Sequence, residues 1–183
     1  MRYLLMLAML LGAMSAYAGD SQDQGDGRRG DDRSGPPKVY DAQGKYVGRL
    51  ETNSNQDGVF LTINGAVTFV GIGRLSVGSQ ISATQFQWAS VGVISYPSTD
   101  CSGPPLLEYV SGPRPSMAVR QGADVVLYVA GEANSTTVHA SSTRQNPNIN
   151  VCSPFSFDLN QVFIPDTPYP LTQMYPEPLT IRP

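Results

Sequence analysis

His139 is the one histidine of the chain and the natural starting point for acid–base chemistry. Ser141 and Ser142 follow it closely, and Asp124 lies upstream. A serine nucleophile, an imidazole base and a carboxylate that orients the base would make a hydrolase site. The local pattern argues against it, because no Gly-x-Ser-x-Gly turn presents a nucleophile. The expectation is a strand or loop histidine in a chain that is not an enzyme. One histidine and two cysteines also fall short of the four ligands of a structural zinc site. Asp20, Asp23, Asp26, Asp31 and Asp32 are oxygen donors, but their spacing does not follow a calcium-loop pattern. No cofactor and no dedicated metal site are expected.

Three further features carry chemistry. Arg29-Gly30-Asp31 spells a cell-adhesion tripeptide, which an Arg/Gly/Asp-rich tract forms readily by chance. Asn134-Ser-Thr136 is a glycosylation sequon, meaningful only in a eukaryotic secretory host. Tyr40, Tyr46, Tyr96, Tyr109, Tyr128 and Trp88 could stack on a sugar ring. Most fall on predicted strands, where an aromatic usually packs on the core or on a cross-strand neighbour. Tyr96, Tyr109 and Tyr128 are the candidate ligand aromatics.

Where these residues work is set by the first eighteen positions. Arg2 precedes an apolar run from Tyr3 to Met14, and Ser15-Ala16-Tyr17-Ala18 follows. A positive start, a short apolar core and an Ala-x-Ala end predict a secretory signal peptide cleaved after Ala18. The run is shorter than the roughly 17–25 residues of a spanning helix. Export to the periplasm or beyond predicts that Cys101 and Cys152, the only two cysteines, form a disulfide. That bond would close a loop of about 50 residues and contribute on the order of 4 kcal/mol in the chain-entropy model.

Removing residues 1–18 takes Arg2 away and leaves 11 basic residues against 15 acidic ones. A mildly acidic chain does not suit nucleic acid or an anionic membrane surface as partner. Residues 19–37 hold no apolar side chain except proline and predict a disordered Gly/Asp-rich linker. A β domain is expected over 38–164. Asp41 to Lys45 forms a hairpin turn between Val39-Tyr40 and Tyr46-Val47. Asn53 to Gly58 reads as a loop. Asn64-Gly65 joins Val59–Ile63 to Ala66–Ile72, and such a pair tolerates the positive φ angles of a type I′ turn. Val59, Leu61 and Ile63 share a face that period two marks as buried.

Ile81 to Tyr96 reads as two strands or one long bent one, with Phe86 and Trp88 on the same side. Leu106 to Val110 is a short strand. Ala123 to Ala130 is a strong strand, with Ser135 to Ser141 as the expected partner. The fold class is all-β, an antiparallel sandwich or small barrel. From Pro165 onward prolines recur at 168, 170, 176, 178 and 183, which predicts an extended Pro-rich C-terminal arm. Such an arm either frays or lies in a groove and buries Tyr169 and Tyr175.

Val39-Tyr-Asp-Ala-Gln-Gly-Lys-Tyr-Val-Gly48, Thr62-Ile-Asn-Gly65, Phe86-x-Trp88, Asp100-Cys-Ser-Gly-Pro104 and Asp158-Leu-Asn-Gln-Val-Phe163 occur in that order. This set resembles a group of exported proteobacterial β-domain proteins of unassigned function. They share a Val-x-Asp-x-x-Gly-x-x-Val-Gly opening and an Asp-Cys-Ser-Gly loop. The resemblance covers about residues 38–165, and this chain departs from the pattern in having only two cysteines. It implies an accessory or surface-exposed module and transfers no catalytic residue. The function expected is an exported, non-catalytic structural or interaction module with a protein or cell-envelope partner. A carbohydrate-binding β domain is the alternative, and a hydrolase the third reading.

Overall fold

The computed structural model describes residues 35–108, 112–145 and 151–183. The expected signal peptide and nearly all of the expected linker lie outside these residues, as does Tyr109. The strands are β1 (Lys38–Tyr40), β2 (Tyr46–Arg49), β3 (Glu51–Asn53), β4 (Gln56–Ile63), β5 (Ala66–Val77), β6 (Gln80–Trp88) and β7 (Val93–Tyr96). They continue as β8 (Ser116–Gln121), β9 (Asp124–Ala130), β10 (Thr136–Gln145), β11 (Cys152–Val162), β12 (Pro165–Pro170) and β13 (Leu179–Arg182). One helical turn, α1 (Leu171–Met174), separates the last two.

All strand pairs are antiparallel and build three sheets. The largest runs β2-β1-β13-β6-β5-β4-β3, and the others run β12-β9-β8 and β11-β10-β7. None closes into a barrel. The Asn64-Gly65 turn lies between β4 and β5 with φ of 49° and 82°, as its residue types require. Val59, Leu61 and Ile63 are buried on one face of β4, as period two demands.

The β12-β9-β8 sheet is covered on both faces. Val125, Leu127 and Val129 of β9 and Ala118 of β8 join a core with Val59, Leu61, Val70, Ile72 and Trp88 of the large sheet. Met117 and Val119 of β8, with Ala130 and Tyr128 of β9, pack instead against Ile94 and Tyr96 of β7. Double burial explains why Val125 to Ala130 is almost continuously apolar rather than alternating.

Three expectations differ from the structure. Ser135–Ser141 does not pair with β9. It belongs to β10, which pairs with β11 and β7, whereas β9 pairs with β8 and β12. The nearer partner wins because Gly122, at φ 62°, allows a tight turn from Gln121 to Asp124. Asn53–Gly58 is not a long loop, since β3 and β4 pair around Ser54 and Asn55, both at positive φ. Of the expected strand Leu106–Val110, Leu107 forms an isolated bridge to Phe163, and residues 109 and 110 lie outside the described residues.

The C-terminal segment is extended over Pro165–Pro170 but is not a free arm. β12 pairs only with β9, and a sheet edge is the place where prolines fit a ladder. The proline-free tetrapeptide Leu179–Arg182 inserts between β1 and β6. Leu171 and Leu179 are fully buried, and Tyr169 and Tyr175 pack on the same core.

The segment is anchored at Glu177. Its carboxylate accepts hydrogen bonds from Arg120 Nη2 at 2.6 Å and Nη1 at 2.9 Å, and from the Trp88 backbone N–H. Arg120 Nη2 also donates to Trp88 O at 3.0 Å, and Trp88 Nε1 donates to Tyr175 O at 3.1 Å. Both charged side chains are largely screened from water. Arg120→Met is therefore expected to destabilise the fold by about 3 kcal/mol, because it strands the carboxylate. Adding Glu177→Gln should recover much of that loss. Urea unfolding of both variants checks this; equal loss in single and double variants would refute a charge-pair origin.

Candidate functional site

The sequence features converge on the third sheet. Cys101, in the loop after β7, is bonded to Cys152, the first residue of β11, with an S–S distance of 2.11 Å and Cα atoms 5.8 Å apart. Cys101 N–H donates to Ser142 Oγ at 3.0 Å, and Ser142 Oγ donates to Ser98 O at 2.6 Å. Ser142 is fully buried and supports the disulfide loop, so it has no proton to exchange with His139. In the same loop, hydrogen bonds from Ser102 hold the exposed Asp100 carboxyl below the usual carboxylate range.

His139 meets a different acid and a different serine from those the sequence suggested. Its Nδ1 lies 2.6 Å from Asp158 Oδ1, directly across the β10–β11 ladder. Its Nε2 lies 3.4 Å from Ser156 Oγ. Asp124 sits instead at the β8–β9 turn, and Ser141 is not a hydrogen-bond partner of the imidazole. The order serine–imidazole–carboxylate is that of a hydrolase triad, but the setting is not. The three residues stand on an open strand surface, with the His139 and Asp158 side chains 54% and 70% exposed. Water reaches every member, so the low-dielectric field that stabilises an oxyanion is missing.

Of the candidate ligand aromatics, Tyr109 lies outside the described residues, and Tyr96 and Tyr128 pack in a hydrophobic cluster. Tyr96 is 3% exposed and Tyr128 half-buried, between the second and third sheets. Burial raises both phenol pKa values above the ordinary tyrosine range. The Arg144 guanidinium lies 5.8 Å from the Tyr96 ring centre and partly opposes that shift. The Tyr96 ring is closed to a stacking ligand. Both tyrosines were expected on strands, and period two alone could not say which strand faces another sheet.

Several clefts lie elsewhere. One of about 570 Å³ runs beside Gln87, Ser90 and Arg120, whose guanidinium is already committed to Glu177. One of about 240 Å³ lies at the Asn64–Gly65 turn beside Arg114, Glu132 and Asp166. Among the described residues, no group of three or more His, Cys, Asp or Glu is placed to hold a metal ion. The aspartates considered for calcium and the Arg29-Gly30-Asp31 tripeptide lie outside the described residues.

β11 presents two exposed aromatics. It is the edge of the third sheet, paired only with β10. Phe155 and Phe157 have ring centres 6.3 Å apart, and Phe157 is 61% exposed. Ile164, just beyond the strand, and Val151, just before it, are exposed as well. The alternation Phe155-Ser-Phe157-Asp158 marks a strand, but nothing local shows that its apolar side goes uncovered. No family model, curated protein or solved structure matches this chain.

Two outcomes follow. Reduction of Cys101–Cys152 should lower the melting temperature by about 10 °C, from the entropy of a loop of this length. An unchanged transition, with free thiols confirmed by titration, would contradict this. Ser156→Ala should leave p-nitrophenyl acetate hydrolysis at the wild-type rate. A large fall would instead make Ser156 a nucleophile.

Proposed function

We propose that this chain is an exported, non-catalytic interaction module that docks a protein partner on the β11 edge. The observation that carries the reading is the pair Phe155 and Phe157, exposed on a strand that has a sheet neighbour on one side only. An edge strand offers unpaired backbone donors and acceptors, and a partner strand can add to it. Exposed aromatic side chains then supply the anchors around which water is excluded. Pro154 within β11 limits uncontrolled pairing along its first half.

Other observations are consistent with this reading. The N-terminal pattern is that of a signal peptide, and the disulfide suits an oxidising compartment. Among the described residues, no helix is long and apolar enough to cross a membrane. The disulfide fastens the start of β11 to the loop after β7, so the strand is held ready rather than ordered on contact.

A photo-crosslinking residue placed at Phe157 in the full chain tests the proposal. In the cell envelope it should trap one discrete protein, and Phe155→Asp should abolish the product. The same residue at Gln43, on an exposed hairpin turn, is the control. Equal products from both positions, or none from Phe157, would overturn the reading.

A further inference from the structure

Three basic residues stand side by side on the outer face of the large sheet. Lys38 of β1 is in register with Arg49 of β2 on one side and with Arg182 of β13 on the other. Val39, between Lys38 and Tyr40, is fully buried, so period two turns Lys38 outward. Its direct cross-strand partners share that face. Strands lie about 4.8 Å apart, so the row spans about 10 Å.

Like charges directly opposite one another destabilise a sheet. Two other cations are ion-paired, Arg114 with Glu132 and Arg120 with Glu177. Among the described residues, no Asp or Glu carboxylate forms an ion pair with Arg49, Lys38 or Arg182. Glu51, two residues beyond Arg49, is no exception. Lys38 Nζ reaches only the main-chain oxygen of Pro183 at 3.4 Å, and the Arg182 guanidinium lies 4.9 Å from the Tyr40 ring centre.

Next to the row, Tyr40 and Tyr46 form a cross-strand pair with ring centres 5.8 Å apart. Tyr46 is 49% exposed. The patch thus joins three cations that lack an Asp or Glu partner among the described residues to an open aromatic ring. We infer that the Arg49–Lys38–Arg182 row, with Tyr46, is a binding site for an acidic polysaccharide bearing uronate carboxylates. Guanidinium groups take carboxylates by two parallel hydrogen bonds, and a phenol ring offers an apolar face with a polar tip to a pyranose.

Other polyanions fit less well. A membrane-binding patch uses some 4–8 basic residues, more than stand here. A nucleic-acid domain is basic as a whole, whereas this chain has a pI of about 5.0. The site lies on a different sheet from β11 and stands independently of the protein-docking role.

Affinity electrophoresis of the full chain through gels containing polygalacturonate tests the inference. The wild type should be retarded, should lose the retardation as salt rises, and should run freely through neutral dextran. Arg49→Gln should weaken binding about tenfold, and Tyr46→Ser should weaken it without changing the salt dependence. Arg49→Gln should also leave the melting temperature unchanged or higher, since it relieves like-charge crowding. A lower melting temperature would refute that crowding and with it the argument for a site. Free migration of the wild type, equal retardation by dextran, or wild-type affinity in Arg49→Gln would overturn the proposal. So would binding to phosphatidylglycerol vesicles in place of polygalacturonate, which would make a membrane the occupant.

Discussion

The carboxylate of Glu177 holds together segments that are far apart in sequence. It binds Arg120 on β8 and the Trp88 backbone at the end of β6, so one side chain ties the middle sheet and the large sheet to the C-terminal segment. This matters because the large sheet is assembled from two pieces. β2-β1 forms one piece and β6-β5-β4-β3 the other, and β13 is the strand between them. Glu177 lies two residues before β13. A charge pair screened from water is worth having only if its geometry is good and its remaining sites are filled, and both conditions hold here. The neighbouring Trp88 ring is buried beneath it, with its N–H satisfied by Tyr175 O.

A sheet completed by its last strand is a topology of long-range contacts. β1 at residue 38 meets β13 at residue 182, so the first hairpin finds its neighbour only once the whole chain is present. Non-local pairing of this kind gives slow folding, because the loop must close before any contact rewards it. The disulfide acts on the other side of the molecule. It fastens β11, whose side chains are mostly exposed, to the loop after β7. The two devices divide the work: a polar clamp closes the large sheet, and a covalent bond secures the outer one.

The same division separates structure from display. Tyrosines between the sheets pack, Tyr96 buried and Tyr128 half-buried, and partial desolvation raises their phenol pKa values. Aromatics on the outermost strands remain open, Phe157 on β11 and Tyr46 on β2. The His139–Asp158 pair belongs with the second group. Across an antiparallel ladder, an opposite-charge or hydrogen-bonded pair is an ordinary way to finish a solvated face. Thr137 donating to Asn160 at 2.8 Å continues the same ladder of polar contacts.

Much of the local structure was legible from residue types. Asn64-Gly65, Asp41 to Gly44 and the alternation of Val59, Leu61 and Ile63 carry their conformation in backbone sterics and period two, which act over a few residues. The pairing of Cys101 with Cys152 followed from there being only two cysteines in a chain whose N-terminal pattern led to an expectation of export. What sequence could not reach was which face meets which. Tyr96, a ligand candidate by type, is core because a second sheet covers it. Phe157 is open because β11 is a sheet edge. Pro165 to Pro170 looked like an arm because proline cannot donate, yet an edge position asks for fewer donors. Arg49, Lys38 and Arg182 lie in three separate stretches of chain, and only strand register brings them into one row. Propensity and turn chemistry are properties of neighbours in sequence; burial, register and charge crowding belong to neighbours in space, so the tertiary structure alone decided them.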